Sequence, residues 1–137
     1  MEIKELWVFP VPSSAIAEGG VQLIYPGGDA LLLFDYYNEN RNEKVFNSGI
    51  LFQMAQAHRH RSEMFLSTLM DAYDRLVEIV DSDWVVEFKR INRRVADYWD
   101  IKHYAIFLKS NGLYEFLASD FTILDTKEGG LSEFHRA

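Results

Sequence analysis

The strongest folding signal in this chain lies in residues 103–118, His103-Tyr-Ala-Ile-Phe-Leu-Lys-Ser-Asn-Gly-Leu-Tyr-Glu-Phe-Leu-Ala118. Two apolar, aromatic-rich runs flank Asn111-Gly112, and this pair accepts the positive φ angles that a two-residue type I′ turn requires. The sequence therefore predicts a β-hairpin over 103–118 that turns at Asn111-Gly112. The signal concerns folding, and no motif of comparable strength indicates a chemical function.

Further strands are predicted upstream. Glu5–Val11 is rich in β-forming residues and ends in Pro-Val-Pro, which predicts a first or edge strand. Ser13–Gly20 is predicted to be a loop. A Pro/Gly turn, Pro26-Gly-Gly-Asp29, separates Val21–Tyr25 from Ala30–Tyr37 and predicts a second hairpin.

Two segments fit either a helix or a strand. At the start of residues 49–60, apolar side chains occupy both sets of alternating positions. The spacing of apolar residues in such a run fits a helix as well as a strand. Gly49 and the polar turn before it favour a strand that pairs with Ala30–Tyr37. Residues 73–80 could end a short helix, but their β-branched side chains favour a strand. Phe121–Leu124 predicts a last short strand.

A helix is predicted at about 82–98. Asp81-Ser-Asp83 offers an N-cap oxygen and negative charge at the positive end of the helix dipole. The apolar residues recur at steps of three and four and form one stripe: Trp84, Phe88, Ile91, Val95 and Tyr98. The basic residues 89–94 fall near the C-terminal end of the helix. Together the elements predict an α+β fold, a mostly antiparallel sheet with this main amphipathic helix packed on it.

Length and composition restrict the possible functions. The 137 residues fit one domain, predicted over 1–124, followed by a polar, loose tail over 125–137. The absence of cysteine excludes disulfides and thiolate chemistry. With no signal peptide and no apolar run of ~18 residues, we predict a cytoplasmic protein that does not enter membranes. The net charge of −7 disfavours nucleic acid and suits a basic protein partner.

The segment Ala57–Glu63 is the one stretch with the composition of a site. On a strand His58 and His60 would share one face, where two imidazoles could bind a metal with Glu63 as a carboxylate ligand and His103 as a further candidate. Common metal-site patterns are not matched, so we predict neither a metal nor a cofactor.

The same segment offers a second candidate site. Arg59 and Arg61 on the opposite strand face could clamp a carboxylate or phosphate, because guanidinium presents a bidentate fork. Ion pairs with acidic neighbours are the simpler explanation of both arginines. The aromatic residues exceed what a small core needs, and Tyr36, Tyr37 and Trp99 are the predicted partner-binding residues.

Four blocks of the sequence resemble a family of small uncharacterised bacterial proteins. The blocks are Gly49-Ile-Leu-Phe52, Ala57–Glu63, Tyr73–Trp84 and His103–Ala118. The resemblance covers roughly residues 49–124 and implies a strand at 73–80, but it brings no activity and no functional residue.

Two classes of function remain. The favoured hypothesis is a non-catalytic protein-binding module of the immunity type, which neutralises a toxin by binding it. The alternative is a small-ligand-binding protein or a metal-dependent enzyme that uses the His58/His60/Glu63 strand end. A homo-oligomer stays open under either hypothesis.

Overall fold

The computed structural model describes residues 1–38, 44–62, 70–96 and 100–131. Within these ranges two 3-10 turns, at Ser13–Ala15 and Met70–Ala72, accompany the strands and helices. The remaining elements, in chain order, are β1 Ile3–Val8, β2 Ile16–Ile24, β3 Ala30–Asn38, β4 Lys44–Gln53, β5 Ala57–Arg61, β6 Arg75–Ile79, α1 Asp83–Ile91, α2 Arg93–Ala96, β7 Lys102–Leu108, β8 Gly112–Ala118, β9 Asp120–Ile123 and β10 Lys127–Glu128. Every pair of these strands is antiparallel, so the predicted α+β, mostly antiparallel class is confirmed.

The strands form two sheets instead of the single predicted sheet. Sheet A has the order β1-β6-β7-β8-β5, and sheet B has the order β10-β4-β3-β2 with β9 also paired to β4. The sheets pack face to face, and the core between them takes buried side chains from both. Phe52 of sheet B stacks on Phe116 of sheet A with ring centroids 4.1 Å apart. Each sheet therefore has an inner face on this core and an outer face directed away from it.

The 103–118 hairpin is confirmed, but its predicted turn is wrong. Leu108 pairs with Gly112, so a three-residue loop, 109–111, joins β7 to β8. Ser110 takes the positive φ of 66° inside the loop, and Gly112 has a φ of 101° at the first position of β8. A Cβ on Gly112 would lie 2.1 Å from the Arg61 carbonyl oxygen, so glycine here permits the close approach of β5.

The segment 73–80 is a strand, and the segment 49–60 is divided between the end of β4, which pairs with β3 as predicted, and the start of β5, which pairs with β8 instead. β4 pairs with β3 from one end to the other, and β6 covers 75–79 between β1 and β7. β1 lies at an edge of sheet A, as its sequence predicts. The predicted Ser13–Gly20 loop is wrong in its second half, because β2 already begins at Ile16 and a bulge before Val21 absorbs the extra residues.

The main helix is shorter and less buried than predicted. α1 ends at Ile91, where Asn92 donates both its backbone N–H and its side-chain amide to the Phe88 carbonyl. Trp84 and Phe88 are half-buried, and Ile91 is 65% exposed, so α1 contacts sheet A chiefly through its first turn. The side chain of Val95 and residues 97–99 lie outside the described residues.

The C-terminal segment is more ordered than the predicted loose tail. Lys127 and Glu128 pair with β4, and Leu131 is buried with its N–H donating to the buried carboxylate of Asp35 at 3.1 Å. Residues 132–137 lie outside the described residues. None of the helices in the described ranges is both long and apolar enough to span a bilayer.

Candidate functional site

The outer face of sheet A carries a group of polar side chains that we call the Glu115 cluster: Arg59, Arg61, Ser82, His103 and Glu115. Arg59 lies directly opposite Glu115 in the pairing of β5 with β8. Because side chains alternate along a strand, Arg59 and Arg61 share this outer face, as their spacing predicts. β7 adds His103 to the same face, and Ser82 comes from the start of α1.

Glu115 is the centre of this cluster. Arg59 donates from Nε to Oε2 at 2.7 Å and from Nη2 to Oε1 at 3.1 Å, a bidentate pair. Nε2 of His103 lies 2.8 Å from Oε1, and Nη2 of Arg61 lies 3.6 Å from Oε2. Glu115 is only 1% exposed, so these groups replace the water that would otherwise solvate its charge.

The surroundings of Glu115 keep its carboxylate ionised. Burial by itself raises the pKa of Glu115, because a low-dielectric site disfavours the charged form. Hydrogen bonds from His103 and Arg59, and the positive charge of Arg59, outweigh burial and bring the pKa down to about 2. At neutral pH the cluster therefore contains a fixed buried negative charge.

His103 links this carboxylate to the helix. Its Nδ1 lies 2.7 Å from the Ser82 Oγ, and the Val85 N–H donates to the same oxygen at 3.2 Å. Nδ1 of His103 thus faces the Ser82 hydroxyl and Nε2 faces the Glu115 carboxylate, so both ring nitrogens have a hydrogen-bonding partner. Ser82 is thus both the N-cap of α1 and the connection from α1 to sheet A.

A hydrogen-bonded serine, histidine and carboxylate also make up the catalytic triad of serine hydrolases. In that triad the histidine faces the serine through Nε2, whereas here Nδ1 faces Ser82 and Nε2 faces Glu115. The Ser82 side chain is buried and already accepts a backbone hydrogen bond. The geometry therefore favours attachment of α1 to the sheet over nucleophilic chemistry.

A cleft of about 370 Å³ opens beside the cluster, between β5 and the start of α1. Arg59 forms one wall and lies over the ring of Trp84, with Cζ 4.1 Å from the ring centroid. Asp81 and Asp83 line the opposite side. The cleft thus has a cationic wall from β5, and on the side of α1 the Met1 ammonium lies 3.8 Å from Asp81 Oδ2, so that Asp83 provides the negative charge left without a cation there.

The alternation of side chains along β5 also separates two of the candidate metal ligands, His58 and His60, from His103. His58 and His60 lie opposite Phe116 and Tyr114, on the other side of β5 from the arginines and from His103. The Tyr25 hydroxyl contacts Nδ1 of His58, and His60 stacks on the Tyr114 ring with centroids 4.4 Å apart. Within the described residues no group of three potential ligands approaches one point, and Glu63 lies outside them.

The predicted partner-binding tyrosines lie on opposite faces of β3. Tyr36 is 3% exposed and packs against Phe9 and Phe46 in the core, so its assignment to a partner surface is wrong. Tyr37 is 37% exposed and lies on the outer face of sheet B. Adjacent strand residues point to opposite sides, so Tyr36 and Tyr37 could not both be exposed on one sheet face. Trp99 lies outside the described residues.

The outer face of sheet B carries a group of apolar side chains that sequence reasoning missed. We call it the apolar face, and it consists of Ile24, Leu31, Leu33, Leu51 and Leu124. Tyr37 lies on the same side of β3, but the buried carboxylate of Asp35 separates it from Leu33. Ile24 and Leu51 lie directly opposite Leu31 on the two neighbouring strands, which makes a continuous row. Side-chain atoms of Leu33 and Leu124 would lie 2.8 and 3.2 Å from a Cβ on Gly49, so both leucines close over this glycine.

One signal in the sequence could have revealed this face. The run Ala30–Phe34 is apolar at every position, whereas an antiparallel strand with one solvated face alternates apolar and polar residues. Leu32 and Phe34 fill the core, and Leu31 and Leu33 are left half-buried on the outside. A groove of about 380 Å³ runs beside them, lined by Leu33, Leu124 and Leu131 among others.

No protein-family model, curated protein or solved structure matches this chain. Function is therefore inferred from its own two outer faces, the polar cleft on sheet A and the apolar face on sheet B.

Proposed function

We propose that this protein is a non-catalytic protein-binding module that docks a basic protein on the apolar face of sheet B, in the manner of a toxin-neutralising immunity protein. The supporting observation is the row Ile24–Leu31–Leu51, which crosses three neighbouring strands, with Ile24 37% exposed and the two leucines half-buried. Contiguous apolar patches of this kind mark interaction surfaces in soluble proteins.

The charge of the chain favours a basic protein over a second copy as the occupant. Two copies would each bring a net charge of −7, and like charges repel at long range. Burial raises the pKa of the Tyr104 phenol, and the negative charges of Asp120, Glu78 and Asp100 raise it further. Asp120 pairs with Gln53, two residues from Leu51, and so brings negative charge to the margin of the apolar face.

On such a surface, charge would determine the rate of association and apolar contact would determine the affinity. The carboxylates accelerate the encounter with a basic partner, and this term weakens once salt screens charges beyond about 8 Å. The apolar face provides the affinity, because truncating a few central side chains usually removes most of the binding energy.

The test uses the product of the neighbouring gene as the candidate partner and measures binding by surface plasmon resonance at two salt concentrations. Leu31→Gln and Leu51→Gln should each weaken binding at least about tenfold, mainly through faster dissociation. Val86→Gln changes a 67%-exposed valine on α1 and should leave binding unchanged. Raising salt should slow association of the wild type and of all three variants alike.

Other outcomes would contradict the proposal. Equal binding by wild type and both leucine variants would exclude the apolar face as the docking site. Self-association in light scattering that Leu31→Gln abolishes would instead identify a second copy of the chain as the occupant.

A further inference from the structure

We propose that the cleft between β5 and the start of α1 is a second binding site, in which Arg59 and Arg61 hold the carboxylate or phosphate group of a small ligand. This site lies on sheet A and does not rest on the protein docking proposed for sheet B. It accounts for the arginines on β5, which the apolar face does not use.

Arg59 is held ready for a ligand before any ligand arrives. Glu115 fixes its guanidinium from below through Nε and Nη2, and the Trp84 ring covers one of its faces. These two bonds use two of the five N–H donors of the guanidinium, and its side chain is still 46% exposed. A donor that is already oriented loses little conformational entropy on binding, which favours affinity.

Arg61 adds a charge that its neighbours do not fully compensate. Its side chain is 44% exposed, and 3.6 Å separates its Nη2 from Glu115, which is too long for a hydrogen bond. Within the described residues it donates no hydrogen bond. Two guanidinium groups therefore share one carboxylate that is itself buried, and the wall of the cleft formed by β5 carries a net positive charge.

The opposite wall limits which anions fit. Asp81 accepts the Glu2 N–H at 2.7 Å and Asp83 opens α1, so both carboxylates border the cleft. The Met1 ammonium lies 3.8 Å from Asp81 Oδ2 and also lines the cleft, so the remaining negative charge on this side is that of Asp83, and it disfavours a second anionic group beside it. At about 370 Å³ the cleft suits a metabolite-sized molecule with one anionic end and a hydrogen-bond donor at the other.

The experiment follows the full-length protein by NMR while sodium acetate or inorganic phosphate is added at constant ionic strength. The arginine Nε–Hε signals report on the guanidinium groups directly, and sodium chloride serves as the screening control. We expect saturable shifts at Arg59 and Arg61 below about 10 mM of at least one anion, and none with chloride. The acetate and phosphate arms show which of the two groups the site prefers.

Two substitutions at one position separate charge from shape. Arg61→Gln should weaken binding at least about tenfold, because it removes the charge and the fork together. Arg61→Lys keeps a point charge, so it should reduce acetate binding more than phosphate binding. Arg75→Gln is the matched control, since Arg75 is a half-exposed arginine of the same sheet that pairs with Glu5 at 3.4 Å.

Three results would overturn the proposal. They are shifts absent at Arg59 and Arg61 with both anions, equal affinities for wild type and Arg61→Gln, and an equal loss of affinity in Arg75→Gln. Arg61 is half exposed and contributes no core contact, so its variants should fold, and unchanged backbone amide signals would verify this.

Discussion

The outer faces of sheets A and B rest on the same kind of antiparallel pairing, yet they differ in how far they are covered. On sheet A a second buried apolar cluster adjoins the Glu115 cluster, and its members on the sheet are Val77, Ile79, Ala105, Phe107 and Leu113. On sheet B the buried carboxylate of Asp35 lies beside apolar side chains that are only half-buried. The outer face of sheet A has a helix attached at one end and a charged, hydrogen-bonded cluster beneath it. The outer face of sheet B has a row of leucines that stay partly exposed. The core between the sheets holds the two together. The outer faces differ because a helix packs on one of them, whereas the leucines of the other stay partly exposed.

The comparison shows how burial and charge are balanced on each face. A buried carboxylate is tolerated on sheet A because a bidentate arginine, a histidine and a second arginine surround it. The apolar row on sheet B needs no such compensation, but water remains in contact with it, which is unfavourable until something covers it. The buried charge of Glu115 is thus compensated within the chain, whereas the apolar row stays partly exposed, which is the observation behind the docking proposed for sheet B.

The largest expected effect tests whether the face of sheet A depends on its charge. Glu115→Gln removes the negative charge while Arg59 and His103 stay in place, so it should lower the free energy of unfolding by about 3 kcal/mol. This value is at the lower end of the cost of removing one partner from a buried ion pair, because the Arg59 side chain is 46% exposed and solvent screens its charge. Urea denaturation measures this change. A loss below about 1 kcal/mol would mean that the cluster contributes little to stability.

The same carboxylate predicts a dependence of stability on pH. The folded pKa of Glu115, about 2, lies below its ordinary value of 4.5, so its contribution is complete above pH 4.5 and is lost as the pH falls toward 2. Between about pH 6 and about pH 3 the wild type should lose about 2 kcal/mol through this group. Glu115→Gln should lack this part of the slope. If the free energy of unfolding fell equally with pH in the wild type and in Glu115→Gln, other carboxylates would be the cause of the acid sensitivity.

The two faces also differ in how far the sequence predicts them. The hairpin, the strand at 73–80 and the shared face of Arg59 and Arg61 follow from local patterns of turn residues and alternation. The Glu115 cluster joins residues from β5, α1, β7 and β8, and no local pattern reports which distant strands become neighbours. The one signal that could have revealed the cluster is the glutamate inside the apolar run of β8, because a buried carboxylate requires a cation beside it.

Boundaries were harder to predict than elements. The apolar stripe continues past Ile91 in the sequence, but Asn92 satisfies the end of α1 and stops it earlier. The pair Asn111-Gly112 is well suited to a two-residue turn, yet close contact of Gly112 with β5 takes precedence over the local preference. A side-chain cap therefore overrides the helical spacing at the end of α1, and a tertiary contact overrides the turn preference at Gly112.

A third change probes how tightly the apolar face is built. Gly49→Ala would place a Cβ 2.8 Å from the Leu32 carbonyl oxygen and 2.8 Å from a methyl group of Leu33. Because the backbone oxygen cannot move easily, we expect a loss of about 1–2 kcal/mol in thermal or urea unfolding. Gly28→Ala is the control, since nothing lies within 4 Å of its Cβ, and it should be neutral or slightly stabilising. Equal stability of both variants would indicate that the leucines above Gly49 are loosely packed.

The smallest expected effect tests most directly whether the face of sheet B is open. Leu31→Gln replaces a half-buried side chain on the outer face, and it should change the free energy of unfolding by no more than about 1 kcal/mol. Leu32→Gln is the matched control one residue away, because Leu32 is fully buried between the sheets and its substitution should cost several times more. Urea denaturation of both variants gives the ratio. A Leu31 variant as unstable as the Leu32 variant would mean that the outer face of sheet B is already covered, and the apolar row would then belong to the core of the protein instead of to a docking surface.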